Sequence, residues 1–200
     1  MYSDSINNLI HSFKKLPSVG QRTAERFVFS LLKSGRKDVN NLREALGALL
    51  ANTKSCEICW NFDDHSPCQV CRDAKRDQTT VCVVDDPQDV PAIEKTGEFR
   101  GTYHVLRGLI ESGDEEASLH RSKMRELLIR LKQGKIREII LALNPDLPGE
   151  TTMLYLERII KNKFPKIKIT RLARGLPMGS DLQYADEITL GSAFKNRKVI

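Results

Sequence analysis

The chain has 200 residues, 40% hydrophobic and 29% charged, with a formal net charge of +6. That length builds a real core in one domain or two small ones without help from disulfides, and the composition is ordinary for a soluble protein. No apolar run approaches the roughly 18 to 20 residues that cross a bilayer, and Met1 to Ser5 lacks the basic and apolar stretches of a secretory signal; a cytoplasmic protein with no membrane partner is expected.

A sequence pI of about 9.1 favours a polyanionic partner, and the charge is unevenly placed. Residues 1–54 hold nine Lys/Arg against four Asp/Glu, residues 55–78 three against five, and residues 79–200 twenty against seventeen. The N-terminal quarter is the basic part.

That quarter reads as helical. Ile6, Leu9, Ile10 and Phe13 follow helical spacing, as do Phe27, Val28, Leu31 and Leu32. A third helix is predicted from Asn41 to about Asn52, with Leu42, Leu46, Leu49 and Leu50 facing inward. Between the first two lies a turn, Leu16-Pro17-Ser18-Val19-Gly20, followed by Gln21-Arg22-Thr23-Ala24-Glu25-Arg26. This turn resembles the helix-hairpin-helix element of many DNA-binding proteins. Gly20 lets backbone approach a phosphate, and the next helix opens with unpaired N–H groups and a positive dipole end. Arg22 and Arg26 share a face, and Lys14 and Lys15 precede the turn. Such contacts reach the sugar-phosphate backbone, so DNA binding independent of sequence is expected. The plain alternative is a helical corner with solvated basic residues.

Residues 55–78 lack periodicity and carry four of the five cysteines: Cys56-x2-Cys59, eight residues, then Cys68-x2-Cys71. Two such pairs bring four thiolates to one ion, and Zn²⁺ suits four sulfurs. Disulfides do not suit a reducing cytosol. A redox CxxC motif belongs in a thioredoxin-like βαβ setting. One structural zinc per chain is therefore expected, closed by its four ligands and stabilising a segment too small for its own core. His65 is expected in solvent and Trp60 over the metal element, while Cys82 reads as a small buried hydrophobe.

From residue 79 strand and helix alternate. Thr79 to Val84, Ile136 to Leu143 and Ile167 to Leu172 read as buried strands. Helical stretches fall near 88–96, 121–133 and 150–162, so a mainly parallel sheet covered on both faces is predicted. His104, between Tyr103 and Val105, sits on a strand-like run and reads as a structural histidine. Two strands end in polar groups: Asp85-Asp86 after the first, and Asn144-Pro145-Asp146 after the second. Ligands usually bind at that end of such sheets.

These strand ends resemble the Toprim fold of topoisomerases, primases and some nucleases, in which a Glu and an Asp-x-Asp hold Mg²⁺. The match is partial. Asp85 stands where the Glu belongs, and Asn144 replaces the first Asp. Mg²⁺ favours anionic oxygen ligands, and Asp86, Asp89, Asp146 and Glu150 are the candidates to make up the difference. Mg²⁺ binding stays open, beside the plain reading of these acids as helix and turn caps. A charged rim that docks a partner is the favoured use. Arg171 and Arg174 flank the third strand's end, with DNA contact and a solvated rim equally open.

The order of parts resembles the RecR family of recombination mediators: helix-hairpin-helix, four-cysteine zinc element, degraded Toprim domain. Local strings carry the likeness: Leu16 to Arg26, Gly97 to Leu106, and Thr170 to Leu182. The implied fold is α+β and multi-part. Its parts are a helix-hairpin-helix domain at 1–54, a four-cysteine zinc finger at 55–78, a Toprim-like α/β domain at 79–175, and a C-terminal segment at 176–200 that packs on a neighbouring subunit. The implied function is DNA-binding mediation in recombinational repair without catalysis, beside RecO- and RecF-type partners. A homo-oligomer is also implied, dimer or tetrameric ring, at the bacterial nucleoid. The alternatives are a Mg²⁺-dependent nuclease or nucleotidyl transferase and a zinc-bearing protein scaffold. There is no GxxxxGK[ST] phosphate loop. One stretch departs from the family: where a Pro/Gly-rich link usually follows Leu106, Arg107 to Ser118 is acidic and free of proline.

Overall fold

The computed structural model describes residues 2–111, 113 and 115–197. Ser112 and Asp114 of the unusual 107–118 stretch, and the last three residues of the terminal segment, lie outside the described residues. The chain divides into two compact units, Met1–Thr53 and Lys54–Ile200.

The first unit is helical: α1 (Asp4–Phe13), α2 (Gln21–Ser34) and α3 (Arg36–Asn52). Ile10 of α1 meets Ala24 and Val28 of α2 in a small buried cluster, with Ile6, Phe13 and Val19 packed on it. Phe13 and Phe27 meet edge to face at 5.6 Å. Gly35, at φ 90°, makes the break between α2 and α3, a left-handed conformation that favours glycine. Two expectations for α3 need correction. It starts at Arg36, well before Asn41. Its leucines do not face inward: Leu46 is 55% exposed and Leu50 85%. The α1–α2 pair closes its own core, and no described residue of this unit covers the apolar face of α3.

In the second unit, β1 (Lys54–Ser55) and β2 (Phe62–Asp63) form a short antiparallel pair, followed by α4 (Gln69–Arg72). Then come β3 (Thr80–Val84), α5 (Asp89–Glu94), β4 (Thr102–Val105), α6 (Glu115–Arg121), α7 (Met124–Lys132), β5 (Glu138–Leu141), α8 (Leu147–Lys163), β6 (Lys168–Arg171) and α9 (Glu187–Lys195). Among the described residues, β4, β3, β5 and β6 stand in that order in one sheet, every pair parallel.

The parallel sheet is covered on both faces, as the alternation predicts. On one face Val81, Val83, Ile139 and Leu141 bury against Leu127 and Leu131 of α7 and Leu156 and Ile160 of α8. On the other, Cys82, Val84, Tyr103 and Val105 bury against Val90 and Ile93 of α5. The expected strands lose a residue or more from their ends, and β4 joins as a fourth strand that the sequence marks only as a run around His104.

Candidate metal centre and nucleic-acid interface

The zinc element is built by two tight turns. In the first, the Trp60 amide donates to the Cys56 carbonyl at 2.9 Å and the Cys56 amide to the Asn61 carbonyl at 2.8 Å. Trp60 takes φ 66° to close it. In the second, Cys68 caps α4 and receives the Arg72 amide at 3.1 Å. The Sγ atoms of Cys56, Cys59, Cys68 and Cys71 lie within 4.8 Å of one another. The Cys59 and Cys68 sulfurs are 3.5 Å apart, far beyond a disulfide at about 2 Å. A tetrahedral Zn–S₄ centre has sulfur–sulfur edges of about 3.8 Å. Geometry and donor chemistry both suit one zinc ion, held by these four residues with no open position. Its contribution is structural. His65 stays in solvent, and Cys82 is buried on β3 as expected, its thiol pushed up to about 12 by burial.

Asp63, which the sequence reading missed, orders the second turn. Its carboxylate accepts from the His65 amide at 3.0 Å and the Gln69 amide at 3.1 Å. Those bonds hold its pKa below the usual carboxylate range. The element also closes the sheet's outer edge. The Val105 amide on β4 donates to the Cys59 carbonyl at 2.8 Å. Arg130 of α7 donates to the Tyr103 carbonyl at 2.6 Å. Exposed strand edges invite unwanted pairing, and here both groups are occupied. His104, fully buried on β4, shares 2.8 Å between its Nε2 and the Lys123 carbonyl, which ties β4 to the start of α7.

The hairpin of the first unit presents its cations. Lys14, Lys15, Gly20, Arg22 and Arg26 are all exposed. Among the described residues, neither Arg22 nor Arg26 joins an ion pair. Neighbouring Glu25 instead accepts from Gln21 at 2.7 Å. The turn is held by the Leu16 amide on the Phe13 carbonyl and the Val19 amide on the Leu16 carbonyl. The bend itself is not made at Gly20. Its φ of −83° suits any residue, and the left-handed position is Ser18 at φ 62°. What Gly20 supplies is bareness: as N-cap of α2 it offers no capping side chain, a Cβ there would stand in open space, and the first turn carries no acid. The opening amides of α2 therefore face outward beside two guanidinium groups, an arrangement suited to anions.

The acidic residues sit where the sequence placed them but do not converge. Among the described residues, the four cysteines are the one group bringing three or more candidate ligand atoms together. Asp146 caps α8, accepting from the Gly149 amide at 2.8 Å. Asp86 accepts from the Gln88 amide at 2.8 Å, and Asp89 from the Asp86 amide at 3.1 Å. Glu150 pairs with Arg174 and, at 4.0 Å, with Arg171. Asp85 is half-buried; burial raises its pKa, the Gly108 amide opposes the rise, and Asp89, Asp86 and Asp146 add to it. A cavity of about 310 Å³ opens at this end, lined by Asp89, Ile93, Asn144, Arg171 and Arg174 among others. No helix among the described residues is long and apolar enough to cross a membrane.

Comparison with known proteins agrees with this arrangement part by part. The family model described as "RecR, helix-hairpin-helix" matches residues 6–50, and the model for the RecR zinc finger domain with four cysteines matches 53–73. "Toprim domain" matches 79–173, and "RecR, C-terminal" matches 175–198. "Recombination protein RecR" of Thermobifida fusca is 46% identical over 200 residues, covering 100% of this chain and 99% of that protein. Its counterpart in Moorella thermoacetica is 44% identical over 98% of this chain and 97% of its own. The Streptomyces coelicolor protein of the same name is 45% identical over 100% and 99%. With the hairpin, the zinc element and the Toprim sheet in this order along its whole length, the chain belongs to the RecR family of recombination proteins.

Proposed function

We propose that the chain is a DNA-binding recombination mediator with no chemistry of its own, working as a homo-oligomeric clamp in recombinational repair. The observation that carries this reading is the uncapped start of α2, flanked by exposed Lys14, Lys15, Arg22 and Arg26. Backbone amides and guanidinium groups recognise phosphate and ignore base identity.

The absence of catalysis is inferred from how the acids are employed. Asp146 is spent on a helix cap and Glu150 on two arginines, whereas a two-metal site needs converging carboxylates. Asp85, Asp86, Asp89, Asp146 and Glu150 then form a charged rim, which we assign to RecO- or RecF-type partners. Assembly is supported by apolar surface that the chain leaves uncovered. On α3 this is Leu46, Leu49 and Leu50; in the C-terminal segment it is Tyr184, Ile188 and Phe194. The work lies at the nucleoid, in the bacterial cytoplasm.

The test pairs affinity with turnover. Labelled duplexes of unrelated sequence should bind alike, and no strand should be cut or extended when Mg²⁺ is present. Cleavage or synthesis that stops with chelator and with Asp146→Asn would instead establish a metal-dependent enzyme.

A further inference from the structure

The sheet has a second charged end, opposite the acidic rim. α7 and α8 lie on the same face, because Leu127, Leu131, Leu156 and Ile160 share one buried cluster with β3 and β5. Each helix leads through a short connection into its own strand, α7 into β5 and α8 into β6, and those strands are parallel. Both helices therefore finish where the strands begin.

Cations fill that end. Lys132 closes α7, Lys135 follows it, and Arg137 leads into β5; Lys161 and Lys163 close α8, and Lys166 and Lys168 lead into β6. All seven are exposed. The Lys168 amide donates to the Arg137 carbonyl at 2.8 Å, which fixes the two strand entries side by side. Three carboxylates answer them. Glu157 pairs with Lys161, Glu138 with Lys168 at 3.2 Å, and Asp77 lies in the field of Arg137. Among the described residues, Lys132, Lys135, Lys163 and Lys166 have no acidic partner.

Helix ends explain part of this pattern. A lysine in a last turn is favoured by the negative end of the helix dipole, which accounts for Lys132, Lys161 and Lys163. It does not account for Lys135, Arg137, Lys166 and Lys168, which lie past the helices and add repulsion to a crowded rim. Concentrating one sign of charge at one end raises the local attraction for a polyanion. Lysines on flexible stems act as point charges that follow a phosphate chain without reading bases.

We propose that this basic end of the sheet is a second nucleic-acid surface, which holds the sugar-phosphate backbone through residues separate from the hairpin. It rests on the DNA-binding reading given above, but its residues can be tested apart from Arg22 and Arg26.

The experiment uses the full chain in three forms: Arg22→Ala with Arg26→Ala; Lys135→Gln, Arg137→Gln, Lys163→Gln and Lys166→Gln together; and both sets combined. Binding to fluorescent oligothymidylate and to a mixed-sequence duplex is followed by anisotropy across a salt series. Zinc content and thermal melting verify the fold. If the fourfold variant is unstable, Lys163→Glu with Lys166→Glu replaces it. The proposal expects the fourfold variant to bind about 10- to 100-fold more weakly at low salt, with its log–log salt slope flattened by about 2 to 3. It also expects the hairpin variant to keep residual binding that the combined variant loses. If the fourfold variant matches wild type while the hairpin variant fails, the proposal is overturned and the hairpin reading stands; an acidic protein partner then becomes the use of this end. If the fourfold variant fails while the hairpin variant binds normally, the basic end is supported and the hairpin reading falls.

Discussion

Stripping zinc from the Cys56, Cys59, Cys68 and Cys71 centre should open one edge of the sheet and leave its middle folded. The buried cluster of the element is largely the cysteines themselves, with Val70 beside them, so without metal there is little to hold residues 54–73 together. Structural zinc contributes an apparent 10 to 16 kcal/mol in small sites of this kind, about as much as the whole stability of a typical domain. The loss to the sheet is smaller. It forfeits the Val105–Cys59 backbone bond and the Arg107–Ser55 bond at 2.9 Å, about 1 kcal/mol each. Arg107 over Phe62 at 3.9 Å and Lys123 over Trp60 at 4.3 Å also go, at about 0.5 to 1 kcal/mol each. Val70 leaves the α5 face, for about 1 to 2 kcal/mol more. The sum, roughly 4 to 6 kcal/mol, weakens β4 without melting β3 and β5. Hydrogen exchange after chelation should show the Val105 amide unprotected and the Val83 and Ile139 amides still protected. Emission from Trp60, the one tryptophan, should shift to the red. A metal-free protein with Val105 fully protected, or one that unfolds throughout, would refute this division of labour.

Burial holds the His104 pKa down at about 4 against the bond to Lys123, while an unfolded histidine titrates near 6.5. The unfolded chain therefore takes up the proton first, so stability is full above about pH 6.5 and falls toward pH 4, by up to roughly 3 kcal/mol. Urea midpoints should show that fall in wild type and not in His104→Gln; equal pH profiles would count against it. At Gly149 a Cβ would stand 2.0 Å from the Asn144 carbonyl oxygen, so Gly149→Ala should cost about 2 to 4 kcal/mol, and an unchanged melting temperature would contradict the packing. Leu46→Glu with Leu49→Glu, on the uncovered face of α3, should lower the mass seen by light scattering while the monomer stays folded; an unaltered mass would remove α3 from the assembly.

The zinc element was readable because thiol spacing states its chemistry whatever surrounds it. The parallel sheet was readable because buried strands such as Val81 to Val84 alternate with helical spacing. β4 was legible only as a strand-like run around His104, not as a member of the sheet, because Thr102-Tyr103-His104-Val105 is short and buried at every position and shows neither alternation nor an apolar run. The helical period of α3 was legible, but its burial was not: period tells which residues share a face, and only neighbours decide whether that face is covered. The position of the acids at the strand ends was legible, but which groups they pair with depends on distant parts of the chain. Arg174 reaches back to Glu150, and Arg130 reaches across to Tyr103 from another element. No local pattern announces such pairs. The hairpin was found through its Gly20, although the residue that bends the turn backwards is Ser18.

The salt dependence of DNA binding by wild type and by Arg22→Ala with Arg26→Ala tests the phosphate-binding hairpin most directly. The account predicts a steep fall in affinity with salt for wild type, and a slope shallower by roughly 2 for the variant on duplex DNA. Identical slopes for the two proteins, or wild-type binding indifferent to salt, would contradict it.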